Sequence, residues 1–512
     1  MPDPIHVLPR DPHNEALVAN VHPADWLNPV PAGRYNLVVI GAGTAGLITS
    51  LVASSLGARV ALVERHLMGG DCLNVGCVPS KSVIRAARRV HEARAAGTLG
   101  LGLPNERLPD FGAAMERMRR IRARISHEDS AARYSEEFGV DVYLGQAHFT
   151  ESDTVDVDGT ELRFKKAVIA TGARAIAPPV EGLANAGYLT NETVFELTER
   201  PKRLAVIGAG PIGCELAQSF QRLGSRVSLL ERAPQILVRE DADAAEIVQK
   251  ALVREGVELV LGASIREVER KGDEKVLHVA RSNREEQIVV DEILVGAGRA
   301  PNVEDLGLET VGVEFDPRRG VKVDDRLRTT NKRIYAAGDV CMDWKFTHAA
   351  DAAAKIVVQN ALFFGRKKLS SLVMPWCTYT DPEVAHLGLY ERDARERGIA
   401  IDTYQVPITK AHRAITDGEE EGFVKIHVRK GKDEIVGATI VAAHAGEMIS
   451  EITVAITNGV GLGAFANVIH PYPTQAEAIK AAAGLYTRTR LTPRVKRLFE
   501  SWLRLARSGR SS

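Results

Sequence analysis

The sequence is poor in cysteine, poor in aromatic residues and free of net charge. Five cysteines in 512 residues exclude the dense disulfide frameworks of small secreted proteins. Lysine plus arginine and aspartate plus glutamate stand at 66 each, so no global field recruits nucleic acid. No run of about 18 apolar residues occurs, which argues against a membrane-spanning helix. Residues 1–10 are proline-rich and lack the apolar stretch of a secretory signal. These absences point to a reducing cytoplasm. There a close cysteine pair is more often catalytic or metal-binding than structural. What is present is ordinary for a globular protein: 45% apolar and 26% charged residues, at a length that suggests about three domains.

Two of the cysteines stand close together. Cys72 and Cys77 lie in Gly-Gly-Asp-Cys-Leu-Asn-Val-Gly-Cys-Val-Pro-Ser-Lys, residues 69–81, ahead of a helix-like run from Ser80 to Arg94. A thiol near a helix N-terminus has its thiolate stabilised by the positive end of the dipole. Paired thiols can close to a disulfide and reopen when electrons arrive. Cys214 reads as an apolar filler of a helix, and Cys341 and Cys377 show no metal-ligand spacing.

The electron source is written twice. Tyr35 to Ile40 reads as a buried strand, followed by Gly41-Ala-Gly43-Thr-Ala-Gly46, an apolar helix to about Gly57, and a strand from Arg59 to Val63. Glu64 ends that strand, 23 residues after Gly41. The unit recurs as a strand from Arg203 to Ile207, Gly208-Ala-Gly210-Pro-Ile212-Gly213, a helix to about Leu223, and a strand from Arg226 to Leu230. Glu231 ends it, 23 residues after Gly208. The first glycines allow a tight turn and close approach of a pyrophosphate. The third lets helix and strand pack, and the acid accepts from ribose hydroxyls. One such fingerprint is weak; two complete units at matched spacing are strong. Two dinucleotide sites imply two cofactors, a nicotinamide donor and a flavin relay, because hydride chemistry belongs to cofactors.

Further motifs follow in order: Ala170-Thr171-Gly172-Ala173, Gly296-Ala-Gly298-Arg299-Ala-Pro301-Asn302, Ile334-Tyr-Ala-Ala-Gly338-Asp339-Val340 and Thr380-Asp381-Pro382-Glu383. With them the chain, from about Tyr35 to Gly484, resembles the pyridine nucleotide-disulfide oxidoreductases, which include dihydrolipoamide dehydrogenase, glutathione reductase and mercuric reductase. The resemblance implies FAD on the first fold and NAD(P)H on the second. Gly41, Gly43 and Gly46 would hold the FAD pyrophosphate, Glu64 the adenosine ribose, and Ala147 the adenine through its backbone. Thr171, Gly172, Gly338 and Asp339 would complete the FAD site. Gly208, Gly210, Ile212, Gly213, Glu215, Glu231 and Gly298 would form the NAD(P) site. Cys77 matches the cysteine beside the flavin, and Cys72 the one that engages substrate. Lys81 would approach the flavin and pair with Glu215. Glu231 favours the free ribose hydroxyls of NADH over a 2′-phosphate.

The acceptor is decided near the C-terminus, at Ile469-His470-Pro471-Tyr472-Pro473-Thr474-Gln475-Ala476-Glu477. Disulfide-reducing members carry a histidine base directly before Pro-Thr, oriented by a glutamate five residues on. Here the glutamate is Glu477, but the base position is Tyr472, and His470 is two residues off. A phenol is a poor base at neutral pH. Mercuric reductases also carry a tyrosine near the metal, and a soft Hg(II) ion needs thiolates more than a base. They also end in a vicinal cysteine pair, whereas this sequence has no cysteine after Cys377 and no N-terminal Cys-x-x-Cys module. The acceptor is expected to be a metal ion, with Cys72 and Cys77 as transient ligands, or a small oxidised thiol. The alternatives are a dihydrolipoamide dehydrogenase-like reductase and a membrane-docked flavin electron carrier.

The expected architecture is α/β: two doubly wound FAD/NAD(P)-binding domains plus a C-terminal α+β dimerisation domain. Residues 1–34 form an N-terminal arm, with Trp26 and Leu27 as anchors and His6, His13 and His22 as surface histidines. Residues 35–184 and 301–368 form the FAD domain, 185–300 the NAD(P) domain and 369–490 the dimerisation domain. The resemblance implies a homodimer whose active site joins Cys72, Cys77 and FAD of one subunit to Tyr472 and Glu477 of the other. Residues 491–512 read as a basic amphipathic helix starting at Pro493. From Leu485 to the end, eight Lys or Arg face one acid, Glu500. Such a helix can lie on an anionic membrane or pack on the body or the dimer partner.

Overall fold

The structure, a computed structural model, describes residues 5–100, 109–281 and 284–508. The first four residues of the arm and the last four of the basic tail, with Arg510, lie outside them. Contacts divide the chain into two units, 1–236 with 253–372, and 237–252 with 373–512.

The first unit holds both dinucleotide folds. In one sheet Asp141–Leu144, Val60–Glu64, Tyr35–Ile40 and Thr160–Ile169 run parallel in that spatial order, and Ile334–Ala336 pairs with Thr160–Ile169. The second sheet repeats the order with Glu258–Leu261, Arg226–Glu231, Arg203–Ile207 and Glu292–Val295. The near-continuous apolar strands Tyr35–Ile40 and Arg203–Ile207 are central and covered on both faces, as parallel strands must be. In both sheets the strand order reverses beside the first strand. Its C-terminal end is the switch point where α/β sheets bind ligands. Both glycine turns lie there.

The arm packs on this unit through the helix Pro12–Val21, whose Leu17 and Val21 are buried. Asp11 caps it and also pairs with Arg119 at 2.5 Å. Trp26 donates to the Val142 carbonyl at 3.1 Å. Leu27 is exposed rather than an anchor. Asn28 takes that role, bonding both the amide and the carbonyl of Leu144 on the edge strand. His22 contacts the His66 carbonyl, and His13 lies 3.8 Å from Glu116.

The second unit is a five-stranded antiparallel sheet, ordered Pro375–Thr378, Glu383–Gly388, Ile435–Ala442, Phe423–Arg429 and Ile401–Pro407. Helices Ala445–Thr457 and Glu477–Arg490 supply Ile449, Ile452, Ile479 and Ala482 to its core. Residues 237–252 fall in the stretch that spacing assigns to the second dinucleotide fold, yet they group with this unit. Glu240 accepts from Trp376 Nε1 at 2.9 Å and from the Tyr390 hydroxyl at 2.6 Å. Lys425 pairs with Asp241 at 3.1 Å and Asp243 at 2.7 Å. A buried carboxylate and a buried ammonium each need such partners, so the segment stays where they are.

Candidate active site

The cysteine pair is built on glycine. Gly69 and Gly70 have φ of 89° and 55°, left-handed values that suit glycine. A Cβ at Gly70 would stand 2.6 Å from the Gly43 Cα. The backbone that carries the thiols therefore touches the first glycine turn directly. Cys72 lies in the short helix Gly70–Asn74, and Cys77 opens the helix Cys77–Ala95. That helix starts three residues ahead of the Ser80 expected from sequence. Pro79 is tolerated in its first turn because the N–H it lacks would have no intrahelical partner there.

The two sulfurs are free thiols. Cys77 is pushed down to about 6, chiefly because the Cys72 thiol donates to its sulfur; burial opposes this, and Thr347 and the Lys81 charge assist. Thr347 Oγ1 is 3.3 Å from that sulfur. Cys72 is pushed up by the same hydrogen bond and then by burial. In the dithiol form the pair is thus arranged as one thiolate at a helix N-terminus and one thiol that donates to it. Lys81 Nζ donates to Glu215 Oε2 at 2.9 Å, with Glu215 buried and Lys81 half-buried. Of the other cysteines, Cys214 is buried and bonds the Ala209 carbonyl at 3.3 Å, and burial pushes Cys341 up to about 12. Cys377 is partly buried near Glu383.

The two acids at the strand ends behave as twins. Glu64 accepts from the amides of Ala42 at 2.7 Å and His66 at 2.8 Å. Glu231 accepts from Ala209 and Ala233, both at 2.9 Å. Each carboxylate is thereby fixed beside its glycine turn, with lone pairs left for further donors. Burial raises the Glu64 carboxyl, and the Ala42 and His66 amides counter it.

The glycine turns fit a dinucleotide. A Cβ at Gly46 would meet the Gly41 carbonyl oxygen at 1.8 Å, and one at Gly213 would meet that of Gly208 at 1.9 Å. Helices Thr44–Ser55 and Pro211–Arg222 are preceded by Gly43 and Gly210, which offer no side chain to their first-turn amides. Those amides and the dipole suit a pyrophosphate. Nothing lies within 4 Å of a Cβ placed at Gly210. Ile212, in the first turn of the helix Pro211–Arg222, is exposed. Ala147 is buried, and its carbonyl accepts from Gln146 Nε2 at 3.3 Å.

Two motifs are tied to one another. Thr171 Oγ1 donates to the Asn302 carbonyl at 2.7 Å, Asn302 Nδ2 returns a bond to the Thr171 carbonyl at 2.9 Å, and the Asn302 amide donates to Gly172. Ala173–Ala175 pairs antiparallel with Arg299–Pro301, just after Gly298, whose φ is 145°. Arg299 then pairs with Asp71, beside Cys72, and lies 3.7 Å from Asp339. Burial raises the Asp339 carboxyl, against Arg299 and Lys345. Gly338, with φ of 82°, precedes it.

In the second unit Tyr472 is 70% exposed. Its hydroxyl lies 3.2 Å from His412 Nδ1, an imidazole that sequence reasoning missed. His470 turns away, bonding Glu451 at 3.0 Å. Glu477 accepts from the Thr474 amide at 3.3 Å at the start of its helix. Thr347 and His412 gave no sequence signal, since each reaches its partner across scores of residues.

Two dinucleotide folds, a cysteine pair docked on the first and an antiparallel C-terminal unit define a flavin- and nicotinamide-linked dithiol oxidoreductase. The chain belongs to the pyridine nucleotide-disulphide oxidoreductase family, whose model matches residues 35–354, with the family's dimerisation domain matching 374–483. Its cofactors are FAD and a pyridine nucleotide, and the dimerisation domain makes a homodimer its assembly. The mercuric reductase of Lysinibacillus sphaericus is 35% identical over 88% of this chain and 82% of its own length. The dihydrolipoyl dehydrogenase of Thermus scotoductus is 34% identical over 88% of this chain and 96% of its own. Among solved structures, the HOCl-induced flavoprotein disulfide reductase RclA from Escherichia coli superposes with a TM-score of 0.79 at 28% identity, covering 88% of this chain and 100% of that one. Its Cu(II) complex superposes with a TM-score of 0.79 at 27% identity, over 89% and 100%.

Proposed function

We propose that this chain is an NADH-dependent flavoprotein that delivers electrons from the Cys72–Cys77 pair to a soft, oxidising metal ion, with Hg(II) the type case. What supports the reading is the direction in which the shared hydrogen bond pushes the two thiols apart. Cys72, the thiol assigned to the acceptor, is pushed up by its bond to Cys77 and by burial. A disulfide acceptor would need a base to take that proton. The position where the disulfide-reducing members keep a histidine is Tyr472. A soft metal removes the need, because a coordinating thiol is deprotonated outright. The similarity to mercuric reductases and to a reductase solved with Cu(II) supports the same choice.

The residues divide the work. Gly41, Gly43, Gly46, Glu64, Ala147, Thr171, Gly172, Gly338 and Asp339 would hold FAD. Gly208, Gly210, Ile212, Gly213, Glu231 and Gly298 would hold the nicotinamide cofactor. When bound, FAD supplies two-electron transfer between nicotinamide and dithiol. Cys77 holds its negative charge through Cys72, Thr347 and the helix N-terminus. Lys81, paired with Glu215 at 2.9 Å, adds a positive charge that favours the Cys77 thiolate. Glu231, fixed by two amides, favours free ribose hydroxyls and disfavours a 2′-phosphate. Tyr472, its hydroxyl 3.2 Å from His412 Nδ1, offers an oxygen to the acceptor. Glu477 steadies the start of its helix.

The test is steady-state NADH oxidation with Hg(II) under excess thiol, against oxidised lipoamide and oxidised glutathione. Hg(II)-dependent turnover lost in Cys72→Ala and Cys77→Ala is expected. Tyr472→His should raise the lipoamide rate at least tenfold. A high lipoamide rate in the unaltered protein, abolished by His470→Ala, would overturn the reading in favour of a dihydrolipoamide dehydrogenase-like enzyme.

A further inference from the structure

The helix Pro493–Ser508 lies beyond residue 483, where the matched dimerisation domain ends. Val495, Leu498, Phe499, Trp502 and Leu505 recur at spacings of three and four and share one face. Leu498, Trp502 and Leu505 are 68%, 69% and 69% exposed. Outside that face stand Arg494, Lys496, Arg497, Arg504 and Arg507 against Glu500, a net charge of +4, together with Leu503 at the edge of the apolar face. An exposed patch of tryptophan, phenylalanine and leucine marks an interaction surface. The charge says which kind.

We propose that Pro493–Ser508 docks the enzyme on an anionic lipid surface. Its apolar face would enter the boundary between headgroups and acyl chains, and its arginines would meet the headgroup phosphates. An apolar protein groove would match the leucine face alone and would not select a single sign of charge on the other. An anionic interface matches both. Trp502 has the apolar body and polar N–H that suit such a depth. Sixteen residues make a rod about 24 Å long. No described helix is long and apolar enough to cross a membrane, so the helix lies along the surface rather than through it.

Co-sedimentation of the full chain with vesicles tests this. The protein is expected to sediment with phosphatidylcholine vesicles containing a quarter phosphatidylglycerol. Binding should fall at least tenfold with phosphatidylcholine alone, in salt of about 0.5 M, and in Leu498→Glu/Trp502→Glu. The double variant should keep its NADH oxidation rate and, by sedimentation velocity, its dimer. Absence of binding to anionic vesicles, or equal binding to neutral ones, overturns the proposal. A double variant that falls apart into monomers also overturns it, since the face would then belong to the subunit interface.

Discussion

At the scale of single residues the decisive contrast is between two sulfurs that share one hydrogen bond. Cys77 is stabilised as a thiolate and Cys72 is held as a thiol. Iodoacetamide labelling of Cys77 in the reduced protein should therefore rise with pH through a midpoint near 6. Lys81→Met removes a stabilising positive charge and should move that midpoint upward, read by mass spectrometry of the labelled peptide. Glu231 carries the second residue-scale prediction. Glu231→Ala removes the carboxylate that opposes a 2′-phosphate, so the ratio of kcat/KM for NADPH to that for NADH should rise roughly tenfold, about 1.4 kcal/mol. Both sites were legible in the sequence because each is local: a cysteine pair before a helix, an acid at a strand end. Thr347 and His412 were not. Their partners, Cys77 and Tyr472, are brought to them by the tertiary fold, and neither side chain carries a mark of that in its own neighbourhood.

At the scale of elements, the third glycine of each fingerprint fixes how closely helix and turn approach. Gly46→Ala would set a methyl 1.8 Å from a backbone oxygen, which cannot swing aside. It should lose FAD on desalting, read by the ratio of flavin to protein absorbance. Gly43→Ala, with Gly70 at 3.7 Å, should keep the fold and lose less. The Glu383–Gly388 strand makes a prediction about pH. Its His386 bonds Thr439 at 2.8 Å and the Gly388 carbonyl at 3.1 Å and stacks on Tyr390. Burial pushes its imidazole down from 6.5 to about 3. The unfolded chain thus takes up a proton that the folded chain refuses. Its contribution to stability is complete above about 6.5 and is lost as pH falls from there towards 3, by up to about 1.4 kcal/mol per pH unit. Urea midpoints between pH 7.5 and 5 should show this slope, and His386→Gln should flatten it. The β-α-β unit that opens each dinucleotide fold was readable from its apolar runs and its glycine fingerprint. The start at Cys77 was not, because Pro79 reads as a helix boundary although a first turn accepts it.

At the scale of the whole molecule, family membership and the dimerisation domain predict a homodimer. Sedimentation velocity at micromolar concentration should give a single species of twice the chain mass. The two nucleotide folds and a separate C-terminal α+β domain follow from motif order along the chain. The allegiance of residues 237–252 did not, because it depends on where Glu240, Asp241 and Asp243 find Trp376, Tyr390 and Lys425. The consequence is practical. A recombinant that exchanges the C-terminal unit with that of a relative cannot be spliced once, near residue 372. The chain enters that unit first at 237, leaves after 252 and returns at 373. A graft that omits the early stretch would strand a carboxylate on one parent and its aromatic donors on the other. Three junctions, not one, delimit the exchangeable module.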